Sequence, residues 1–199
     1  MDFATLVRSS RTVRRFKESE AVDAATLEWL VDLTRYCPSA GNFQPLKFVL
    51  ANDPAMCGRI HPTLAWAAYL KDWKGPEPGE RPAAYVVVLH DTRVAEKVDW
   101  DHGIMSQTIM LGAASKGLGG CILASVDRKA LAEVLELPAH FNILLVLALG
   151  RPAETVVVED TAESTDRAAI RYWRDEARVH HVPKRTLENL IAARYFDHG

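Results

Sequence analysis

The sequence lacks the features that would place it in several large functional classes. Its three cysteines, Cys37, Cys57 and Cys121, form no CxxC pair, and their odd number argues against a disulfide framework and for a reducing compartment. No apolar run approaches the roughly 18 residues that a membrane span needs, and Met1–Arg15 is too charged and polar for a signal peptide. The net charge of -2 gives no general argument for a nucleic-acid or membrane partner. We therefore expect a cytoplasmic protein with neither partner.

The motifs of the commonest catalytic classes are also missing. There is no GxxxxGK[ST] phosphate loop, no HExxH zinc motif and no GxSxG nucleophile elbow. Gly117–Ile122 lacks the third glycine of a dinucleotide fingerprint and lies between a helix and a strand, in the reverse of the required order. Cys121 is interpreted as a small hydrophobic residue, and the adjacent pair His180 and His181 is a poor metal chelate. Polar loops without a nucleophile or metal site suggest a cofactor that carries the chemistry itself.

Hydrophobic periodicity predicts helices that alternate with about four buried strands. The predicted strands are Lys47–Ala51, Ala83–His90, Gly119–Ala124 and Ile143–Leu149. The predicted helices are Phe3–Arg8, a helix from Asp23 to about Tyr36, a helix or pair of turns that Asp53 and Pro54 open and that continues through Lys71, His102–Lys116, and a helix from Asp127 to Leu135. A sheet covered by helices on both faces follows from this order. We expect a core domain, 1–152, and a C-terminal extension, 153–199, which we call the tail.

The longest predicted apolar helix and the segment from Trp66 to Pro82 carry two further expectations. His102–Lys116 is apolar on nearly every face, so we expect it to be central and buried, with Asp99 or Asp101 as its N-cap. Trp66, Tyr69 and Trp73 precede the Pro- and Gly-rich Lys74–Pro82, which is interpreted as a surface flap.

The stretch Arg35–Phe48, RYCPSAGNFQPLKF, connects a helix to a strand through small and turn-forming residues. Pro38 ends the helix, and the small residues after it let main-chain amides approach a flat ligand closely. Asn42 and Gln44 each offer a donor and an acceptor, which suits the edge of a heteroaromatic ring. An ordinary helix-to-strand connection is the alternative interpretation.

Positive charge is concentrated at two places in a nearly neutral chain. Five cations lie within ten residues near the N-terminus: Arg8, Arg11, Arg14, Arg15 and Lys17. A second pair, Lys184 and Arg185, lies in the tail. Each cluster is either a solvated basic face or part of an anion site.

These stretches, taken together, resemble the FMN-dependent nitroreductase family. The matching segments are SRTVRRF at Ser10–Phe16, CPSAGNFQPLKF at Cys37–Phe48, the helix start Asp101–Gln107, GLGGC at Gly117–Cys121, and HHVPKR at His180–Arg185. They occur in the expected order over almost the whole chain. Family members often have a second arginine where this chain has Ser10, which would weaken one phosphate contact unless Arg8 compensates.

The resemblance implies an α+β fold with three layers, α/β/α. Its sheet is mixed, largely antiparallel and built of four or five strands covered by helices, and the C-terminal extension embraces the partner subunit. The implied assembly is a homodimer with FMN at the interface. We also expect the tail to wrap the partner because Ile170, Tyr172, Trp173, Val179 and Val182 alternate with polar residues and would otherwise form an exposed apolar strip.

The resemblance also implies a role for each matching residue. Those that hold the FMN phosphate and the pyrimidine edge of the ring are Arg11, Thr12 and Arg14. Those of the loop along the flavin, which also contacts the partner's flavin, are Pro38, Ser39, Ala40, Asn42 and Gln44. Gly119 and Gly120 match the turn whose main-chain amide points at flavin N5, and Lys184 and Arg185 match the basic pair that closes on the phosphate.

The implied activity is ping-pong hydride transfer from NADH or NADPH through FMN to a flat aromatic acceptor, such as a nitroaromatic or a quinone. Two alternatives remain. One is another flavin chemistry on the same scaffold, either flavin cleavage or dehalogenation. The other is a non-catalytic flavin-binding protein.

Overall fold

The computed structural model describes residues 1–161 and 165–196. Six helices are described: α1 (Phe3–Ser9), α2 (Ala24–Asp32), α3 (Pro54–Ile60), α4 (Asp101–Ser115), α5 (Arg128–Val134) and α6 (Leu187–Leu190). Seven strands are described: β1 (Leu46–Ala51), β2 (Ala84–Asp91), β3 (Gly119–Leu123), β4 (Phe141–Gly150), β5 (Val156–Thr161), β6 (Trp173–Arg174) and β7 (His180–Arg185). Short 3₁₀ turns extend α2 to Tyr36 and α3 to Thr63.

Four strands form the core sheet, in the order β1-β2-β4-β3, and every neighbouring pair is antiparallel. Alternate residues of β2 enter two different apolar clusters: Tyr85, Val87 and Leu89 lie on one face, and Ala84, Val86 and Val88 on the other. The first cluster includes residues of α3 and α5, and the second includes residues of α2 and α4. Helices therefore cover both faces, and the predicted α+β fold with a largely antiparallel sheet is confirmed.

Three more strands form a second, smaller sheet, the tail sheet, in the order β5-β7-β6. The strand β7 runs parallel to β5 and antiparallel to β6. The sequence did not predict β5, because its valines are followed at once by Glu159 and Asp160 and lie outside the core pattern. The same chain therefore supplies every described neighbour of β7.

The long helix α4 corrects one sequence prediction and limits another. Trp100 is its N-cap and contributes no side-chain bond, while Asp101 is already inside the first turn. Neither Asp99 nor Asp101 is therefore the cap. The face with Met105 and Ile109 is buried, but Ile104 is 38% exposed and Gln107 is exposed, so the helix is buried on one side only.

The connection from α3 to β2 is not the helix that was predicted to continue through Lys71. Beyond Thr63 it is irregular. Trp66 is buried in the core, and Gly75 packs so closely on its ring that a Cβ on Gly75 would lie 2.6 Å from Trp66 Cδ1.

Within the described residues, no helix combines the length and the apolar character that a bilayer crossing requires.

Candidate cofactor site

The loop predicted to follow a flat ligand is tied to the first turn of α4. The Ser39 hydroxyl donates to the Asp101 carboxylate and also accepts from the backbone N–H of Gln44, at 2.9 Å. The Ala40 N–H lies 3.3 Å from Asp101 Oδ1. Asp101 is buried, so its negative charge is compensated by these donors and by the positive end of the helix dipole.

The backbone of this loop is strained. Gly41, Asn42 and Gln44 have φ values of 56°, 54° and 52°, in the left-handed region that a glutamine rarely occupies. The side chains of Asn42 and Gln44 are exposed and bond to each other, with Gln44 Nε2 3.1 Å from Asn42 Oδ1. Strained residues with exposed amide groups are typical of binding loops rather than of simple connections.

The N-terminal segment after α1 lies against the glycine pair of β3. Thr12 and Gly120 form a parallel bridge, and the Val13 N–H donates to the Gly120 carbonyl at 2.8 Å. A Cβ on Gly120 would lie 2.5 Å from the Ala148 carbonyl oxygen, and a Cβ on Gly119 would lie 2.9 Å from Val13 Cγ2. Glycine at position 119 therefore lets the segment approach β3 this closely, and glycine at position 120 lets β4 do the same.

Two arginines of this segment carry buried N–H groups that lack a partner. Arg11 Nη2 donates to the Val7 carbonyl at 2.8 Å, but Arg11 Nε makes no hydrogen bond in the described chain. Arg14 lies with its Cζ 4.7 Å from the centre of the Tyr172 ring and its Nη1 3.1 Å from His180 Nε2. Arg14 Nε likewise makes no hydrogen bond within the described chain. Unpaired cationic donors beside a glycine-lined backbone match the needs of an anionic, flat cofactor such as FMN.

Three further charged residues, Glu154, Arg174 and Arg15, are fixed by ion pairs near this segment. The Glu154 carboxylate accepts from the Arg14 backbone N–H and pairs with Arg174 Nη2 at 2.8 Å, and its side chain is fully buried. Arg174 also lies over Trp73, at 4.2 Å from the ring centre, and its burial lowers its pKa. Arg15, predicted only as one of the basic residues, is buried and bound to Glu80.

The tail cations Lys184 and Arg185 lie near the end of β7, where they pair in register with Asp160 and Thr161. Four residues separate Lys184 from His180, which corresponds to about 13 Å along a strand. The predicted convergence of the two basic clusters on one phosphate therefore stays a prediction.

Apart from Lys184 and Arg185, the predicted site residues form two separate groups in one chain. The Pro38–Gln44 loop lies at the start of α4, beside Asp101, whereas the Ser10 hydroxyl bonds to the Met110 carbonyl farther along the same helix. Nine residues of helix separate these anchors, which corresponds to about 14 Å. Among the described residues, no hydrogen bond or ion pair joins the loop to the N-terminal segment.

The buried thiols of Cys57 and Cys121 offer no activated nucleophile. Burial raises the pKa of Cys121, and burial together with Asp53 raises the pKa of Cys57 to about 11. Both side chains therefore stay protonated at neutral pH, which confirms that Cys121 behaves as a small buried residue.

Four residues of this region were not identified from the sequence: Asp101 as the anchor of the loop, and Glu154, Tyr172 and His180 as partners of Arg14. Glu154 follows the last core strand by four residues, and Tyr172 and His180 lie about 160 residues from Arg14. No local pattern connects such distant residues, and only the packing of the tail brings them together.

Comparisons with known proteins agree on one family. The sequence model of the Nitroreductase family matches residues 7–151. A protein of Methanothermobacter thermautotrophicus, provisionally named NADH dehydrogenase/NAD(P)H nitroreductase, is 26% identical over 87% of this chain and 88% of its own length. The 5,6-dimethylbenzimidazole synthase of Rhodospirillum rubrum is 27% identical over 72% of this chain and 79% of its own.

A solved structure extends the likeness to the tail. The nitroreductase family protein of Clostridium difficile 630 has a TM-score of 0.67 and is 19% identical, and the match covers 98% of this chain and 100% of that one. At this level of identity the likeness concerns the fold.

Proposed function

This chain belongs to the nitroreductase family, and from that premise we propose that it is an FMN-dependent NAD(P)H oxidoreductase. In this proposal NADH or NADPH gives hydride, and a flat aromatic acceptor such as a nitroaromatic or a quinone receives it in the second half of a ping-pong cycle. The observation that carries the proposal is the pair of unpaired, buried N–H groups on Arg11 and Arg14 beside the glycine pair of β3.

FMN, when bound, supplies the hydride chemistry, and the protein binds and orients it. Arg11, Thr12 and Arg14 would hold the phosphate and the pyrimidine edge, because guanidinium groups match oxyanions with charge-assisted bonds. Gly119 and Gly120, whose Cβ positions are closed by Val13 and by the Ala148 carbonyl oxygen, would present main-chain groups to the ring. Amide donors at that position stabilise negative charge as it develops on the ring.

We further propose that two chains complete each site. The loop that the resemblance assigns to the flavin lies apart from Arg11 and Arg14 within one chain, so the loop of a partner would supply the second wall. Exposed apolar side chains on α1, α2 and α4 offer such a partner a face, since α1 and α2 both contact α4; they are Phe3, Val7, Trp29 and Ile104. The end of the tail is apolar too, with Leu190 at 70% and Tyr195 at 95% exposed. We therefore assign the partner-wrapping role to residues 187–196, since the middle of the tail lies on its own chain.

The test of the cofactor is direct. Purified protein is expected to be yellow, or to take up about one FMN per chain on reconstitution, and anaerobic NADH or NADPH is expected to bleach the flavin absorbance. Arg14→Ala should weaken FMN binding about tenfold or more, because a hydrogen bond to a charged group contributes roughly 1.5–3 kcal/mol. Arg59→Ala, at an exposed arginine of α3, is the matched control. A colourless protein that takes up no FMN would refute the proposal.

The dimer is tested by placing a charge on the exposed face. Ile104→Glu is expected to convert the dimer to monomer in light scattering, and to lower FMN content with it. Val94→Glu changes a valine of similar exposure, 43% against 38%, that lies outside α1, α2 and α4. This control is expected to leave both readouts unchanged. A variant at Ile104 that stays dimeric would contradict the assignment of this face.

A second candidate follows from the relatives. Because one of them is named a 5,6-dimethylbenzimidazole synthase, the matched proteins include an activity other than nitro reduction. Another flavin chemistry, flavin cleavage or dehalogenation, is therefore the alternative. Steady NAD(P)H turnover with FMN recovered intact supports the oxidoreductase, while loss of flavin during aerobic turnover supports cleavage. Bound FMN that nicotinamide does not reduce would indicate a flavin-binding protein.

A further inference from the structure

Arg14 is held by residues of the tail on two sides. The ring of Tyr172 lies against one face of the guanidinium group, at 4.7 Å from Cζ, and His180 Nε2 lies 3.1 Å from Nη1. The two tail rings also contact each other, with their centres 5.2 Å apart. The backbone of Arg14 is fixed separately, by the Glu154 carboxylate.

The contact with His180 defines the protonation of its ring. Arginine can only donate hydrogen bonds, so His180 Nε2 must be the acceptor, and an acceptor nitrogen carries no proton. The ring is therefore neutral with its proton on Nδ1. His180 is fully buried, and its backbone N–H donates to the Thr155 carbonyl at 2.8 Å, so the ring has little freedom to turn away.

The charged groups around His180 favour its neutral form. Arg14 comes from the N-terminal segment, Arg174 from β6 and His181 from β7 itself, and all three oppose a positive charge on the ring. The nearby carboxylate, Glu154, is already bound to Arg174 and to the backbone of Arg14. Burial and these cations lower the pKa of His180 to about 4.

We propose that Tyr172 and His180 are positioning residues that orient Arg14 before an anionic ligand binds. This inference rests on the proposed function, in which Arg14 binds the FMN phosphate or the pyrimidine edge. A free arginine side chain samples many rotamers, and ordering it at the moment of binding weakens the affinity. Because the tail orders Arg14 in advance, the flavin site depends on the tail through this pair of rings, independently of Lys184 and Arg185.

The first test measures the Kd for FMN at pH 7 by flavin fluorescence. His180→Ala is expected to weaken binding about tenfold, which is about 1.4 kcal/mol. His180→Gln supplies an amide oxygen as a substitute acceptor and is expected to stay within about threefold of the parent protein. Tyr172→Leu is expected to weaken binding about threefold or more, and Tyr172→Phe, which keeps the ring, to leave it unchanged. His140→Ala, at a histidine far from Arg14 in the fold, is the control.

The pH profile separates positioning from simple structural support. In the parent protein, the FMN affinity that depends on His180 is expected to be constant near neutral pH and to fall as the pH decreases through about 4, because a protonated His180 repels Arg14. The glutamine variant cannot titrate and is expected to lose that part of the profile. Equal affinity in His180→Ala and the parent, or a glutamine variant as weak as the alanine variant, would overturn the inference.

A second measurement on the unaltered, flavin-free protein makes the inference independent of FMN binding. Nitrogen NMR of the histidine rings is expected to show His180 at pH 7 as the tautomer protonated on Nδ1 only. A proton on Nε2 would overturn the inference, because Nε2 could then not accept from Arg14. A protein that shows the expected tautomer but binds no FMN would refute the proposed function, whereas the orientation of Arg14 by Tyr172 and His180 would still hold.

Discussion

The core sheet and the tail sheet are built from the same chain but are stabilised by different interactions. All eight residues of β2 in the core sheet are buried, and they pack against apolar clusters on both faces. In the tail sheet, β5 and β6 contain no buried residue, and β7 contains only His180. Apart from Val156, which packs against a core cluster, the tail sheet is fixed by charged and aromatic contacts: Arg174 with Glu154, Arg178 with Glu80, and His181 with Glu159, Asp175 and Trp173.

The difference has a consequence for function. Burial of apolar surface is insensitive to pH, whereas ion pairs and histidine contacts depend on it. The core sheet is therefore expected to hold Gly119 and Gly120 in place at any pH at which the protein is folded. The tail sheet, which contains His180 and Lys184, is the part whose stability is expected to depend on pH.

The largest expected effect comes from removing Glu154, which forms a buried ion pair with Arg174 inside the tail and accepts from the Arg14 backbone N–H of the core. Glu154→Ala leaves Arg174, which is only 13% exposed, without its carboxylate, and breaking a buried pair in this way costs about 3–5 kcal/mol. We expect the amides of β6 and β7 to lose their protection from hydrogen exchange while those of β2 and β4 keep theirs.

A double variant provides the control for that experiment. Glu154→Leu with Arg174→Met replaces the pair by apolar side chains of similar size and is expected to restore much of the protection. If Glu154→Ala left the tail fully protected, or lowered protection equally in both sheets, the contrast between them would be wrong.

A change in the core sheet is expected to act on the whole molecule. Leu147→Ala in β4 leaves a cavity at a fully buried position and should lower the free energy of unfolding by about 2–5 kcal/mol in urea denaturation. Val157→Ala in β5, at a position that is 39% exposed, should change it by less than about 0.5 kcal/mol. Similar losses in the two variants would show that the tail shares the core's mode of stabilisation.

The smallest effect is the dependence of the tail sheet on alkaline pH. His181 Nδ1 lies 2.6 Å from Glu159 and its Nε2 lies 3.2 Å from Asp175, so both ring nitrogens face acceptors and both must carry protons. Asp175 and Glu159 raise the pKa of His181 above its usual value of 6.5. The stabilisation is therefore complete below about pH 6.5 and is lost as the pH rises through the raised pKa.

Hydrogen exchange of β5 and β7, corrected for the intrinsic effect of pH, measures this loss. His181→Gln is expected to remove the alkaline decrease in protection, and His140→Gln to leave it in place. His180 acts in the opposite direction, because its pKa is lowered and its contribution is lost as the pH falls from 6.5 towards 4. A parent protein whose tail is equally protected at pH 6 and pH 9 would refute the role of His181.

Much of the core was predictable from the sequence. The valines of β2 produced the expected strand, and Asp23, Pro54 and Asp127 mark where α2, α3 and α5 begin, because these signals act over a few residues. The segments that resemble the nitroreductase family, Ser10–Phe16 and Gly117–Cys121, lie within the range that the family model matches. These features are local, so the order of residues along the chain is enough to specify them.

The tertiary structure alone decided how the charges are paired. From the sequence, Arg14 and Arg15 are two members of one basic run. The fold buries Arg15 against Glu80 and places Arg14 in contact with both Tyr172 and His180. Asp101 looked like a helix cap because capping is a local rule, yet its carboxylate bonds to a loop 61 residues earlier. Ion pairs and ring contacts join residues by distance in space rather than by spacing in the chain. Only the tertiary packing, within the core and of the tail on the core, determines which cations are left to bind a ligand.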